Sequence, residues 1–158
     1  LVVEMFRSMA GVDIVHVPYK GGGPALAAGV GGEVQMTFGN LGVVLQQLQA
    51  GKVKGLAVST RKRVAMLPQT PTVVESGIPD FEAMAWVGLV APKALSKGLV
   101  RKIHGDVAGV LADQEMKNQI LARGMEPGDM TPEEFGRHIR TDIERWRKVV
   151  KAAGIKVD

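Results

Sequence analysis

The chain has 158 residues, 46% hydrophobic and 23% charged, with a formal net charge of +4 and no cysteine. That is enough for one ordinary domain or for parts of two small lobes, and zero cysteines exclude disulfides, thiolate metal sites and cysteine nucleophiles. Aromatic residues make up only 4% and the basic residues are dispersed, which argues against nucleic-acid binding; no apolar run approaches the roughly 20 residues of a membrane span.

The first segment, LVVEMFRSMAG, reads as a helix already under way, with Val2, Met5, Phe6 and Met9 at i, i+3, i+4, i+7 spacing. Because it starts at Leu1, we expect a truncated or processed beginning, so a missing leader says nothing about secretion. DIVHVPY (13–19) alternates like a strand. Three glycines follow, and PALAAGV (24–30) has helix-forming composition, with Pro24 where a first turn tolerates it. A strand, a glycine loop and a helix N-terminus together offer outward N–H groups and a favourable dipole to an anion. A tight turn needing positive φ fits the same spacing.

EVQMTF (33–38) reads as a strand between Gly32 and Gly39, LGVVLQQLQAG (41–51) as a helix with Gly51 as an αL cap, and VKGLAVS (53–59) as a strand. This alternation predicts a largely parallel sheet with helices on both faces. The three prolines and the glycine of RKRVAMLPQTPTVVESGIPDF (61–81) predict a long structured loop with a single helical turn, and its Arg61–Lys62–Arg63 cluster reads as a solvated face. EAMAWVGLVAP (82–92) reads as a buried strand or connecting segment.

Beyond it the chain turns helical. One helix is predicted over 97–112, with Val100, Ile103, Val107 and Leu111 on one face, and another from an Asp113 N-cap to Gly124. The last helix opens on TPEE, a capping box with Thr131 as N-cap, Pro132 at N1 and Glu134 at N3. Phe135, Ile139, Ile143, Trp146 and Val150 form its apolar stripe, with Trp146 expected in the core. Glu133–Arg137 and Glu144–Lys148 are spaced to pair. Composition shifts near residue 84, which places a lobe boundary there.

Catalytic constellations are sparse. His16, His104 and His138 are isolated and read as satisfied structural histidines, and no serine sits in G-x-S-x-G. Lys20 precedes Gly21, whereas a P-loop lysine follows its glycines; Leu26 stands where a dinucleotide fingerprint wants glycine or alanine.

The motifs HVPYKGGGPAL, GGEVQMTFGN, LPQTPTVVESGIP and the closing AGIK, in that order, resemble the Bug/TctC family, the extracytoplasmic substrate-binding proteins of tripartite tricarboxylate transporters. The resemblance covers essentially the whole chain. It implies an α/β, type II periplasmic-binding-protein-like fold: residues 1–84 as a second (βα) lobe, and 85–158 as a crossover strand and helices belonging to a first lobe whose N-terminal part is missing. It also implies a periplasmic receptor, its signal peptide lost with that part, that binds a small carboxylate and delivers it to the membrane components of a tripartite transporter.

On this resemblance the ligand-binding residues are Tyr19, Lys20, Gly21, Gly22, Gly23, Phe38, Gly39 and Asn40, with no catalytic residue, metal or cofactor. Gly21–Gly23 are expected to admit the ligand to the backbone, and Gly22 to hold a positive φ. The family often has a polar residue at the place of Gly39, and PKALSKGLV lacks a proline common before its helix. The alternative from another class is the effector-binding domain of a transcription regulator. An α/β enzyme fragment is a third reading, without candidate nucleophile, base or metal ligands. The upstream coding sequence separates all three.

Overall fold

The computed structural model describes residues 1–155; Lys156, Val157 and Asp158, with the last residue of the AGIK motif among them, lie outside the described residues. Among the described residues six helices run in chain order: α1 (Val2–Ala10), α2 (Gly22–Gly31), α3 (Leu41–Gln49), α4 (Lys97–Ala112), α5 (Gln114–Ala122) and α6 (Pro132–Ala152). The described residues form two compact units, 1–85 together with 149–155, and Trp86–Lys148.

Helix ends follow the local chemistry of the sequence. Gly11, Gly51 and Gly124 all adopt the left-handed conformation just past a helix. After α3, Gly51 N–H donates to Leu48 (3.0 Å) and Lys52 N–H to Gln47 (2.9 Å), satisfying its last carbonyls. The Ser96 hydroxyl caps α4 by accepting from Leu99 N–H (3.3 Å), and the Asp113 carboxylate caps α5 by accepting from Met116 N–H (2.9 Å). The capping box of α6 forms in both directions: Thr131 N–H donates to Glu134 Oε2 (2.8 Å), and Glu134 N–H to Thr131 Oγ1 (3.3 Å).

The expected strands are where the structure departs from the sequence reading. Residues 14–19, 36–40, 54–57 and 81–92 carry no assigned secondary structure; among the described residues there is one isolated parallel bridge, Val58 to Thr72. Parallel strands become stable when neighbours pair them and both faces are covered. Here Val15 is 88% exposed and Val87 92%, so neither condition holds along these stretches. The run 82–92 is therefore not buried as its apolarity suggested; only Ala83 within it is.

In the first unit the core forms around Phe81, which is fully buried, with Met5, Leu26, Ala28, Val73 and Ala83. Phe6 packs at 5.6 Å from Phe38 and edge-on at 6.0 Å from Phe81. Besides hydrogen-bonded turns at 64–67 and 67–70, the proline-rich loop holds a helical turn at 72–76 through a second reciprocal box. Thr72 N–H donates to Glu75 Oε2 (2.7 Å) and Glu75 N–H to Thr72 Oγ1 (3.0 Å). Arg63 Nε reaches both Glu75 oxygens (3.1 and 3.0 Å) and Arg61 Nε reaches Glu82 (2.9 Å). Two of the three basic residues are thus tied to acids, Arg63 within the loop and Arg61 just beyond it.

In the second unit, Trp86 donates its indole N–H to Asp142 Oδ2 (3.0 Å) and packs edge-on against Phe135 (5.3 Å) and His138 (5.7 Å). α4 and α5 pack on each other. The α6 stripe is only half-covered: Phe135, Ile139 and Trp146 are half-buried and Ile143 is exposed, so Trp146 is not a core residue. Glu144 pairs with Arg147 instead of Lys148. His138 is not satisfied, since its buried Nε2 has no hydrogen-bond partner among the described residues; His104 Nε2 lies 3.3 Å from the Met130 carbonyl.

Both boxes are expected to respond to acid. The Arg63 guanidinium first, then the Thr72 N–H, hold the Glu75 carboxyl below its ordinary 4.5. The Thr131 hydroxyl and N–H do the same for Glu134. A carboxyl depressed in the folded state contributes stability above its unfolded pKa, and that contribution is lost as pH falls through the folded one. Below pH 4.5 the start of α6 and the 72–77 turn are therefore expected to loosen. Backbone amide shifts of Glu134 and Glu75 should report it, and Glu134→Gln should flatten the response at α6 alone.

Candidate functional site

The segment 13–20 delivers the chain to the glycines. Gly21 N–H donates to the Tyr19 carbonyl (2.9 Å), closing a three-residue turn over Lys20. Gly21 itself sits at φ 106°, ψ 176°, a region essentially reserved for glycine. The chain then enters α2 with Gly22, Gly23 and Pro24 as its first three residues. The Gly21 carbonyl accepts from Ala25 N–H (3.5 Å). Proline has no N–H, so Gly22 and Gly23 supply the free amides of this helix end.

α3 begins the same way. The Asn40 carbonyl accepts from Val43 (2.9 Å) and Val44 (3.2 Å), leaving the Leu41 and Gly42 amides as first-turn donors. Asparagine is among the best N-caps, yet the Asn40 side chain makes no capping bond and is exposed. Its amide is therefore available to a ligand. α2 and α3 pack together, and a Cβ on Gly22 would lie 3.7 and 3.8 Å from the Val43 methyls. Two neighbouring first turns thus carry four backbone donors and two positive dipole ends, an arrangement that favours an anion.

Of the expected residues, Gly21, Gly22, Gly23 and Asn40 come to this place. The positive φ belongs to Gly21 and not to Gly22, which is helical; the strained position is the one that turns the chain, one residue before the helix. Gly23 has neither positive φ nor any atom within 4 Å of where a Cβ would stand. Nothing within the described chain requires glycine there, although glycine in a helix costs about 0.5–1 kcal/mol relative to alanine. Tyr19 is half-buried and contributes its carbonyl to the turn, and Lys20 is exposed. The Phe38 ring lies against Phe6 and anchors the start of α3 to the core. A Cβ on Gly39 would meet Val44 Cγ1 at 2.6 Å, so a larger residue there displaces Val44.

The sequence reading missed the Leu41 and Gly42 amides. The signal was present in Asn40, a helix-start residue directly before an apolar run. An open groove of about 400 Å³ runs beside the loop, lined by Gly23, Leu26, Ala27, Val30, Gln47 and Lys52; apart from Gly23 it shares no residue with the expected set. Among the described residues no group of three or more His, Asp or Glu is placed to hold a metal, and no helix is long and apolar enough to cross a membrane.

The model of the tripartite tricarboxylate transporter family receptor matches residues 1–155. The chain belongs to this family. Among curated relatives of these receptors, BugT of Bordetella pertussis is 31% identical over 157 residues, covering 99% of this chain and 48% of BugT. Among solved structures, R. palustris Rpa4515 with adipate superposes with a TM-score of 0.85 at 37% identity, covering 97% of this chain and 51% of that one. MatC from Rhodopseudomonas palustris with bound malate gives 0.79 at 29%, covering 94% and 52%. The chain thus spans about half the length of the receptors it matches. The fold class is α/β and type II periplasmic-binding-protein-like, as in these neighbours, although the regular elements among this chain's described residues are helices.

Proposed function

We propose that the protein is a periplasmic, non-enzymatic solute receptor that binds a small organic carboxylate and passes it to the membrane components of a tripartite transporter. On this reading residues 1–84 form the ligand-receiving lobe and 85–158 complete the other. The carboxylate is received by the Gly22, Gly23, Leu41 and Gly42 amides, with the Asn40 side chain beside them. The observation that carries the proposal is Gly23: a bare helical position with open space beyond it, next to uncapped donors, leaves room for a ligand to approach the main chain. Adipate and malate, bound by the two solved relatives, set the size of solute to test.

The test is calorimetry with a dicarboxylate panel on the protein expressed from its complete coding sequence, followed by product analysis. One-to-one binding with recovery of unchanged ligand is the expected result; conversion of the ligand by pure protein would sink the receptor reading. Lys20→Ala separates two ways of holding the anion. The lysine is exposed and precedes the helix, so its loss should change affinity by less than about fivefold, the range of a solvent-screened charge contact. A complete loss of binding would mean that the anion is clamped by charge and not cradled by backbone.

A further inference from the structure

The segment that carries the glycine loop is held by few directed contacts. Among the described residues, no backbone hydrogen bond involves residues 13–18, and no strand pairs with them. Val15 and Val17 face solvent. One directed contact fixes this stretch: His16 Nδ1 lies 3.2 Å from Glu4 Oε1. The other Glu4 oxygen takes Arg7 Nε, also at 3.2 Å.

Glu4 is an unusual place for such a contact. It falls outside the apolar stripe of α1, yet it is only 8% exposed, and Asp142 is the other buried charged group among the described residues. A buried carboxylate must have its lone pairs satisfied, and its net contribution to stability is small because desolvation offsets most of the attraction. What such a pair supplies well is fixed geometry. Here the geometry being fixed is that of the chain leading, three residues later, to Tyr19 and the Gly21 turn.

We propose that Glu4 is a positioning residue for the ligand loop, acting through His16. Arg7 holds the carboxylate on α1, and the carboxylate holds His16. His16 in turn sets the direction in which the backbone reaches Gly21, so that the Gly22 and Gly23 amides stand beside those of α3. This assignment rests on the proposed carboxylate site and adds the group that orients it.

The test uses His16, which lies on an exposed segment between α1 and α2 and so can be changed without disturbing a helix. His16→Leu removes the bond to Glu4, whereas His16→Asn keeps an N–H donor at the place of Nδ1. Two readouts are taken: backbone order parameters of residues 13–21, and adipate affinity of the protein expressed from its complete coding sequence. In the wild type the order parameters are expected near 0.85, falling below about 0.6 in His16→Leu and recovering in His16→Asn. Adipate affinity is expected to fall about tenfold in His16→Leu, as on loss of one charge-assisted hydrogen bond, and to return to within about twofold in His16→Asn.

Unchanged order parameters in His16→Leu overturn the tether, and so does His16→Asn behaving like His16→Leu, since ring packing would then be responsible. If the wild type binds no member of the panel, the receptor reading fails. The order parameters still decide whether Glu4 and His16 hold the loop.

Discussion

Gly21→Ala is expected to weaken carboxylate binding roughly 5- to 150-fold, the equivalent of the about 1–3 kcal/mol that a non-glycine residue costs in this backbone region. At φ 106°, ψ 176° no L side chain is accommodated without strain. No neighbouring atom lies within 4 Å of the added Cβ, so crowding contributes nothing and the effect is purely conformational. The variant relieves strain by rotating the turn over Lys20. That breaks the Gly21 to Tyr19 hydrogen bond and swings the Gly22 and Gly23 amides away from α3. Helix content should be unchanged by circular dichroism, because α2 starts beyond the turn. Gly23→Ala makes the informative comparison. It is unstrained and improves helix propensity, so it should raise stability slightly while still blocking the ligand. A Gly23→Ala protein that binds dicarboxylates at wild-type affinity would remove the ligand from this helix end.

Gly88→Ala is expected to be the most destabilising small substitution in the second unit. A Cβ at Gly88 would stand 2.2 Å from Phe135 Cζ and 2.7 Å from Cε1, distances that two carbons cannot share. Either the ring leaves its edge-on packing against Trp86, or the backbone around Gly88 moves away from α6. Overpacking of this kind typically costs 1–3 kcal/mol, which for a protein of this size lowers the Tm by roughly 2–12 °C. The cause can be isolated with Phe135→Leu, which makes room. The double variant should lose much less than the sum of the two single ones, because the clash needs both partners. Strict additivity in the melting temperatures would show that the ring is not what Gly88 accommodates. Tryptophan fluorescence should shift with Gly88→Ala, since the Trp86 ring loses its neighbour while its bond to Asp142 persists.

Local chemistry by itself determined where this chain forms helices. α4 follows from Ser96 and its periodic face, α5 from Asp113, and α6 from the Thr131–Glu134 box; each depends on contacts within four residues, which the sequence contains in full. Gly51 and Gly124 were readable as ends for the same reason. The order of the motifs also determined the family, and with it the fold class. Pairing and burial were different, because they depend on what lies across from a residue and not on its neighbours in the chain. The alternation in DIVHVPY and the apolar run at 82–92 suggested strands, and neither stretch is assigned to one. Whether they are laddered and covered was decided by the tertiary structure, which leaves Val15 and Val87 in solvent.

At the site, three consecutive glycines were legible, but not their separate reasons. Only the backbone showed that Gly21 turns the chain, that Gly22 faces Val43, and that Gly23 is bare without an internal cause. Glu4 was invisible. A carboxylate outside the apolar stripe of a helix reads as solvated, and its burial arises from a histidine twelve positions further along whose approach no spacing rule encodes.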